Sequence, residues 1–289
     1  MNHKIQYYRK KQDIYPAKLK EIHDPPDGIY CMGSLPDPKR PTVAIVGARM
    51  CSPYGKNQAL SFARTLSACG VQIISGLARG IDGYSHRGAL EGGTPTFAVM
   101  GCGLDHCYPP EHRNLQEEII KNGGGILSEY PICTPPLRAY FPQRNRIISA
   151  LADLVLVVEA KEKSGSLITA DCALEKGKTV YAVPGRVGDT LSLGCNRLIA
   201  QGAGIACSVE CILEELHIDK TKGESNEKKI SLASDLKLVY SVLDLSPKTM
   251  DQLSVELDMS ISTLSELLLQ LELDGYAKQL GPNSFIRGC

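Results

Sequence analysis

Arginine and lysine side chains occur repeatedly in short loops that follow apolar strand patterns. The β-branched run at residues 43–46 stops at Gly47, and Arg49 follows before the turn that Ser52 opens and a long helical pattern. A glycine just past a buried strand commonly lets the backbone approach a phosphate. A guanidinium can hold phosphate oxygens through two parallel hydrogen bonds. These residue types at this spacing predict a loop that binds an anion.

A second group combines a cation with an aromatic ring. In the segment PLRAYFPQRNR, Arg138 stands three residues before Phe141. A cation for phosphate beside a ring that can stack a base is the usual pairing in sites for single-stranded nucleic acid. The segment therefore extends the predicted anion site toward a nucleotide chain.

Two further arginines, Arg144 and Arg146, stand at the start of a predicted helix, where positive charge opposes the helix dipole. An anion that accepts hydrogen bonds from both would explain this placement. Alternatively, one of the two pairs with a core acid such as Asp153 or Glu129.

The sequence Lys163-Ser164-Gly165-Ser166 also precedes a helical pattern. Backbone N–H groups, a hydroxyl and a cation would converge there as an anion cradle. The other interpretation is an ordinary capped helix start, and the sequence leaves both open.

Familiar nucleotide and hydrolase motifs fail on spacing. The segment from Gly47 to Lys56 does not fit GxxxxGK[ST], and Gly101 with Gly103 does not complete GxGxxG. Asp82 and His86, one helical turn apart near a serine, would suit a hydrolase, but GxSxG is missing. We therefore expect Asp82 to cap its helix and His86 to pack against the loop.

The elements that must position these loops alternate regularly from residue 43 onward. Apolar strands and amphipathic helices follow one another, and many of the helical patterns end in glycine. This predicts an α/β fold, an extended Rossmann-like, mostly parallel sheet with helices on both faces. Ligands on such sheets bind beyond the carboxyl ends of the strands, where the cation-bearing loops fall.

The composition divides the 289-residue chain into parts. We predict an N-terminal extended segment at 1–40, a Rossmann-like domain at 41–217, a charged linker at 218–231, and a small winged helix-turn-helix at 232–289. Residues 231–289 carry four Lys/Arg and eight Asp/Glu, a net charge of −4, and since the totals are 32 and 32, the rest carries +4. Any surface that attracts anions therefore belongs to the larger part.

No apolar run is long enough to span a membrane, and the polar start MNHKIQYYRKKQD lacks the apolar centre of a secretion signal. A cytoplasmic location is expected. The eleven cysteines are scattered and odd in number, so reduced thiols are expected. We expect no metal and no cofactor, since Cys102 and Cys107 lack the spacing of a zinc knuckle.

Taken in order, the motifs resemble one family. VGARMCSPYG, SGLARGIDGYSHRGAL, GCGLDHCYPPEHRNL, LSEYP, FPQRNRIISALAD, EAKEKSGSLITADCALEKGKTVYAVPG and GCNRLIAQGA together resemble the DNA processing protein A (DprA, or Smf) family over roughly residues 12–217. The resemblance implies a non-catalytic protein that binds and protects single-stranded DNA and loads the RecA recombinase during natural transformation, typically as a homodimer.

The resemblance also implies which residues contact DNA. Arg49, the pair Arg138 and Phe141, and Lys163 with its Ser-Gly-Ser match family motifs. Together with the loop chemistry they give the expected DNA-binding set: Gly47, Arg49, Ser52, Gly76, Arg138, Phe141, Arg144, Asn145, Lys163, Ser164, Gly165 and Ser166.

The chain departs from the family pattern in two places. Many relatives carry a full helical domain at the N-terminus, and with about forty residues before the sheet we expect it to be absent or vestigial. Some relatives have a basic residue after the YP of the third loop, where this chain reads YPPEHR. Glu111 is expected to weaken that edge, with Arg113 as a substitute.

The alternative function is a nucleotide-binding enzyme, a phosphoribohydrolase acting on nucleoside monophosphates. Enzymes of that lysine-decarboxylase-like type share the fold but need PGGxGTxxE, and the matching place here reads EKSGSLITAD. The winged helix is a separate question. Its third helix starts SISTLSELLLQ without Arg or Lys, so we expect it to bind protein or pack on a neighbour rather than read duplex DNA.

Overall fold

The computed structural model describes residues 3–218, 234–244 and 247–288. The chain divides into two compact units, Met1–Ser225 and Asn226–Cys289. The predicted linker lies outside the described residues from position 219 onward. None of the helices in the described ranges is long and apolar enough to cross a membrane.

Nine strands form the sheet of the first unit. They are β1 (Ile5–Arg9), β2 (Gly28–Gly33), β3 (Thr42–Val46), β4 (Gln72–Ser75), β5 (Thr96–Met100), β6 (Gly125–Ser128), β7 (Leu154–Val157), β8 (Thr179–Ala182) and β9 (Gly204–Ile205). Their order is β1-β2-β6-β5-β4-β3-β7-β8-β9. The seven strands from β6 to β9 in that order pair in parallel, which confirms the mostly parallel sheet.

Eight α-helices lie between or after these strands in the described part of the first unit. They are α1 (Ala17–Lys20), α2 (Pro53–Ala68), α3 (Ile81–Gly92), α4 (Arg113–Lys121), α5 (Tyr140–Leu151), α6 (Gly165–Leu174), α7 (Leu193–Ala200) and α8 (Val209–Glu215). The short helix α7 lies in the GCNRLIAQGA motif.

Side chains of the central strand alternate between two cores, because successive residues of a strand face opposite sides of a sheet. Val43 and Ile45 pack with Phe62 of α2, whereas Ala44 and Val46 pack on the face that carries α5 and α6. All four strand residues are buried. Helices therefore cover both faces, as predicted.

The N-terminal segment is part of the sheet rather than only an entry into it. β1 pairs antiparallel with β2, and β2 pairs antiparallel with β6. The prediction of a separate extended segment at 1–40 needs this correction, since no boundary between the compact units falls at residue 40. The cause is the alternating run GIYCMG, in which Ile29 and Cys31 are fully buried.

The second unit has the predicted winged-helix elements. They are α9 (Ser234–Val242), β10 (Lys248–Thr249), α10 (Met250–Leu257), α11 (Ile261–Leu273), β11 (Ala277–Gly281) and β12 (Ser284–Arg287). The wing turns at Asn283, which adopts a left-handed φ of 65°. Leucines from the three helices pack with Phe285 of the wing in a core of their own.

Candidate functional site

An open groove of about 560 Å³ lies where the strands of the first unit end. Its walls come from the loops that follow β3, β4, β6, β7 and β8, so parallel pairing brings distant parts of the sequence to one edge. Ten of the twelve predicted site residues line it: Gly47, Arg49, Arg138, Phe141, Arg144, Asn145, Lys163, Ser164, Gly165 and Ser166.

Arg49 and Phe141 meet in this groove. The guanidinium carbon of Arg49 lies 5.2 Å from the centroid of the Phe141 ring, within the range of a cation–π contact. Tyr108 approaches the same ring at 5.4 Å between centroids. Arg49 is exposed and Phe141 half-buried, so the ring holds a cation that still faces solvent.

Three more exposed cations line the groove, namely Arg138, Lys161 and Lys163. Within the described ranges none of the three has an ion-pair partner. Their charge is therefore available to an external anion. Lys161 was missed by the sequence prediction, although it stands in the same EAKEKSGS loop as Lys163.

Arg144 lines the groove from below. It is only 4% exposed, and it donates to the carbonyl of Gly76 at 2.7 Å and to that of Val99. Burial lowers the pKa of Arg144 to about 10, which leaves it charged at neutral pH. It therefore ties the loop after β4 to strand β5, rather than standing in solvent as a contact for DNA.

Arg146 answers the question that the sequence left open. It forms an ion pair with Glu129, and both side chains are largely buried. Arg146 does not line the groove, so the internal-pair interpretation is correct for this arginine. Asp153 pairs instead with Lys18 at 2.6 Å.

The Ser164 segment is a capped helix start inside the groove wall. The Ser164 hydroxyl accepts from the N–H of Ser166 at 3.4 Å and hydrogen-bonds its hydroxyl at 2.8 Å. Asn145 donates to the carbonyl of Gly165 at 3.0 Å. The two interpretations of this segment are thus compatible, because the capped start lies beside exposed Lys163.

Ser52 is not part of the groove. Its N–H donates to a Glu159 carboxylate oxygen at 2.9 Å, and its hydroxyl donates to the other oxygen. The role predicted for Gly47 also changes. A side chain there would come within 2.7 Å of Ile81 and 2.9 Å of the Glu159 carbonyl, so Gly47 is needed for close packing of two loops.

Asp82 and His86 do not match their predicted roles. The cap position of α3 is Gly80, and Asp82 instead accepts from the N–H groups of Gly76 at 3.1 Å and Ala78 at 3.4 Å. Burial raises the pKa of Asp82. His86 is fully buried, with Nδ1 2.8 Å from the Thr96 hydroxyl, rather than against the loop.

A smaller cavity of about 60 Å³ adjoins the groove. Gly76, the remaining predicted residue, lines it together with Arg79 and Tyr108, neither of which was predicted. Arg79 pairs with Glu111, and this interaction holds the pKa of Glu111 down at about 2. Glu111 therefore pairs with a neighbouring arginine, and its weakening effect on this edge of the site stays a prediction.

The fold and the groove define a Rossmann-like α/β protein that presents clustered cations at the carboxyl ends of its strands. The family described as DNA recombination-mediator protein A matches residues 6–217, and the DprA winged helix domain matches residues 224–281. The chain belongs to the DNA processing protein A (DprA/Smf) family.

Curated relatives agree with this assignment. Protein Smf of Escherichia coli is 45% identical over 204 residues, which are 71% of this chain and 54% of that protein. DNA processing protein DprA of Streptococcus pneumoniae is 44% identical over 203 residues, 70% of this chain and 71% of the relative. The chain thus spans about half the length of the first relative and more of the second.

Two solved structures also have a similar fold. DprA from Streptococcus pneumoniae superposes with a TM-score of 0.69 at 42% identity, covering 73% of this chain and 74% of the other. DNA processing protein A from Helicobacter pylori, studied for its single-stranded DNA binding mode, gives a TM-score of 0.65 at 33% identity, covering 73% and 96%.

Proposed function

We propose that this chain binds single-stranded DNA in the strand-end groove. The observation that carries the proposal is the convergence of four exposed cations, Arg49, Arg138, Lys161 and Lys163, around Phe141. Cations of this kind contact phosphates, and aromatic rings stack on bases without selecting among them. Binding is therefore tolerant of sequence.

The proposed activity is binding without catalysis. Among the described residues that line the groove, Asp82 is the one carboxylate, and it is buried against two backbone N–H groups. General acid–base chemistry needs a titratable group within reach of the substrate, and Asp82 is instead engaged in holding its own loop. This favours binding over phosphoribohydrolase activity.

The wider role that we propose follows the family. The name DNA recombination-mediator protein A and the single-stranded DNA binding mode of the Helicobacter pylori relative support a protein that protects incoming DNA and transfers it to the RecA recombinase. We assign this role to a cytoplasmic homodimer active in natural transformation. Light scattering would measure the dimer, and RecA filament formation on oligonucleotides coated with single-strand-binding protein would measure loading.

Fluorescence anisotropy of a labelled oligo-dT across a salt series tests the site. Arg49→Ala and Arg138→Ala should each weaken binding, and each should make the salt slope shallower by about 0.7, the value expected for one lost phosphate contact on a single strand. Arg64→Ala is the matched control, because exposed Arg64 pairs with Glu91 at 3.7 Å and does not line the groove.

Two results would contradict the proposal. If the wild type binds no single-stranded DNA, the function is wrong. If Arg49→Ala leaves both affinity and salt slope unchanged while the wild type binds, the strand lies elsewhere.

A further inference from the structure

β3 and β7 are neighbours in the sheet although α2 to α5 separate them in sequence. The order of strands reverses direction between them, and such a switch point opens a crevice at the carboxyl ends of an α/β sheet. The helix that follows the first parallel strand, here α2 after β3, commonly offers its N-terminus to a phosphate in that crevice.

In this chain a carboxylate already occupies the N-terminus of α2. Glu159 stands two residues past β7 and is 3% exposed. One of its oxygens accepts from the Ser52 N–H at 2.9 Å, and the other accepts from the Ser52 hydroxyl. That hydroxyl in turn accepts from the Gly55 N–H at 3.1 Å, which caps α2. The negative charge therefore sits where a bound phosphate would gain most from the helix dipole.

The first turn of α2 is fitted to this carboxylate. A Cβ atom at Gly55 would overlap the Glu159 carboxyl group, so glycine leaves the space that Glu159 fills. The charge also acts on the neighbouring Cys51 thiol. Burial first, and then the Glu159 carboxylate, raise the pKa of Cys51.

We infer that Glu159 serves as an internal anion that fills the switch-point phosphate site, and thereby excludes inorganic phosphate and free nucleotides from the N-terminus of α2. The side chains of the open groove, Arg49 and Lys163 among them, then bind external phosphates. An open, side-chain site suits a continuous strand, which cannot thread its phosphates into a closed backbone cradle. This last step rests on the proposed function; the exclusion itself does not.

Thermal unfolding in phosphate, compared with chloride at matched ionic strength, tests the exclusion. Glu159→Ala empties the site, so about 50 mM inorganic phosphate should raise its Tm by about 2–4 °C more than it raises that of the control. The control is Glu162→Gln, which removes an exposed acid three residues away that pairs with Arg197 at 3.8 Å. Phosphate bound in the groove raises the Tm of both variants equally, so it cancels in the difference between their Tm shifts.

Equal phosphate shifts in folded Glu159→Ala and Glu162→Gln would overturn the inference. Because the probe is inorganic phosphate, this result is separate from the oligo-dT assay, and either proposal can fail alone. If Glu159→Ala does not fold, Glu159→Gln keeps the shape and removes the charge. Cys51 should then react with iodoacetamide about threefold faster than in Glu162→Gln, as expected when its pKa falls. An unchanged rate would show that no carboxylate charge acts at this position.

Discussion

In the first unit Arg49, Arg138 and Lys163 project from three separate loops into one groove, whereas two cations of the second unit, Lys248 and Arg287, are engaged within that unit. Lys248 pairs with Glu256 at 2.7 Å and donates to a backbone carbonyl. Arg287 lies over the Tyr240 ring and donates to the carbonyl of the same residue. These cations of the two units thus differ in where their charge is directed, in addition to the opposite net charges of the units.

The difference shows that a fold associated with DNA does not by itself provide a DNA surface. Duplex readers of the winged-helix type present the N-terminal end of the third helix to the major groove. Here that helix, α11, has Ser260 as its cap and carries Glu266 but no lysine or arginine. We therefore expect phosphate attraction to belong to the groove, and the role of the winged helix in binding protein or packing on a neighbour stays a prediction.

The largest expected effect concerns the buried support of the groove. Arg144→Met would leave the carbonyls of Gly76 and Val99 without their donor and would remove the stronger of the two positive charges, Arg144 and Arg49, that act on the buried Asp82 carboxyl. Losing such contacts in a buried site costs about 3 kcal/mol. We expect a fall in Tm of about 6–12 °C, measured by calorimetry.

Arg64→Met is the control for this change, since it removes an exposed arginine of the same unit and should shift Tm by less than about 2 °C. A similarly small shift for Arg144→Met would mean that this arginine is not a structural support.

The sequence predicted the sheet, its flanking helices and the winged helix because strand and helix patterns are local. It also predicted most of the groove, since loops after parallel strands must meet at one edge. It could not separate Arg144 from Arg49. Both arginines were predicted to bind phosphate because of their guanidinium groups. Only tertiary packing decides which of the two is buried, since burial depends on the loops that pack over each residue.

Some predicted positions make contacts that the sequence did not indicate. Ser52 was expected to bind DNA because nothing local reveals that Glu159, more than a hundred residues later, reaches it. Gly47 likewise packs against segments that are distant in sequence, whereas Asp82 accepts from N–H groups of its own loop. Lys161, by contrast, was within reach of sequence reasoning, since it shares a loop with Lys163.

A second prediction concerns acid stability. Burial lowers the pKa of His86 to about 3, whereas an unfolded histidine titrates near 6.5. Between these values the unfolded state binds the additional proton, so stability is complete above about pH 6.5 and falls as the pH drops toward 3. Protonation of His86 in the unfolded state should therefore lower the unfolding free energy by about 2 kcal/mol at pH 5 relative to pH 7.5.

Calorimetry from pH 7.5 to 5 measures this loss, and it should fall on the first unit, because residues 231–289 contain no histidine. His86→Gln should flatten the dependence over that range. A dependence equally steep in His86→Gln would assign the acid sensitivity to other groups.

A third prediction separates stacking from charge in the groove. Phe141→Ala keeps all four exposed cations but removes the ring under Arg49. Loss of one aromatic–base contact costs about 1–3 kcal/mol, so oligo-dT affinity should fall about 5- to 160-fold while the salt slope stays unchanged. A shallower slope would mean that Arg49 leaves the phosphate when the ring is lost.

The smallest expected effect tests the second unit directly. Lys278 lies exposed on β11, the first strand of the wing, where a winged helix would contact DNA if it bound any. Lys278→Ala in the full chain should leave affinity and salt slope unchanged for both oligo-dT and a duplex of equal length, because residues 231–289 carry net −4 and repel phosphate. Arg138→Ala, measured in parallel, should weaken oligo-dT binding and so shows that the assay detects a single lost cation. If Lys278→Ala lowers duplex affinity, with a salt slope shallower by about 0.9, the winged helix contacts DNA despite its charge. The two units would then differ in whether they bind single-stranded or duplex DNA, and not in whether they bind DNA.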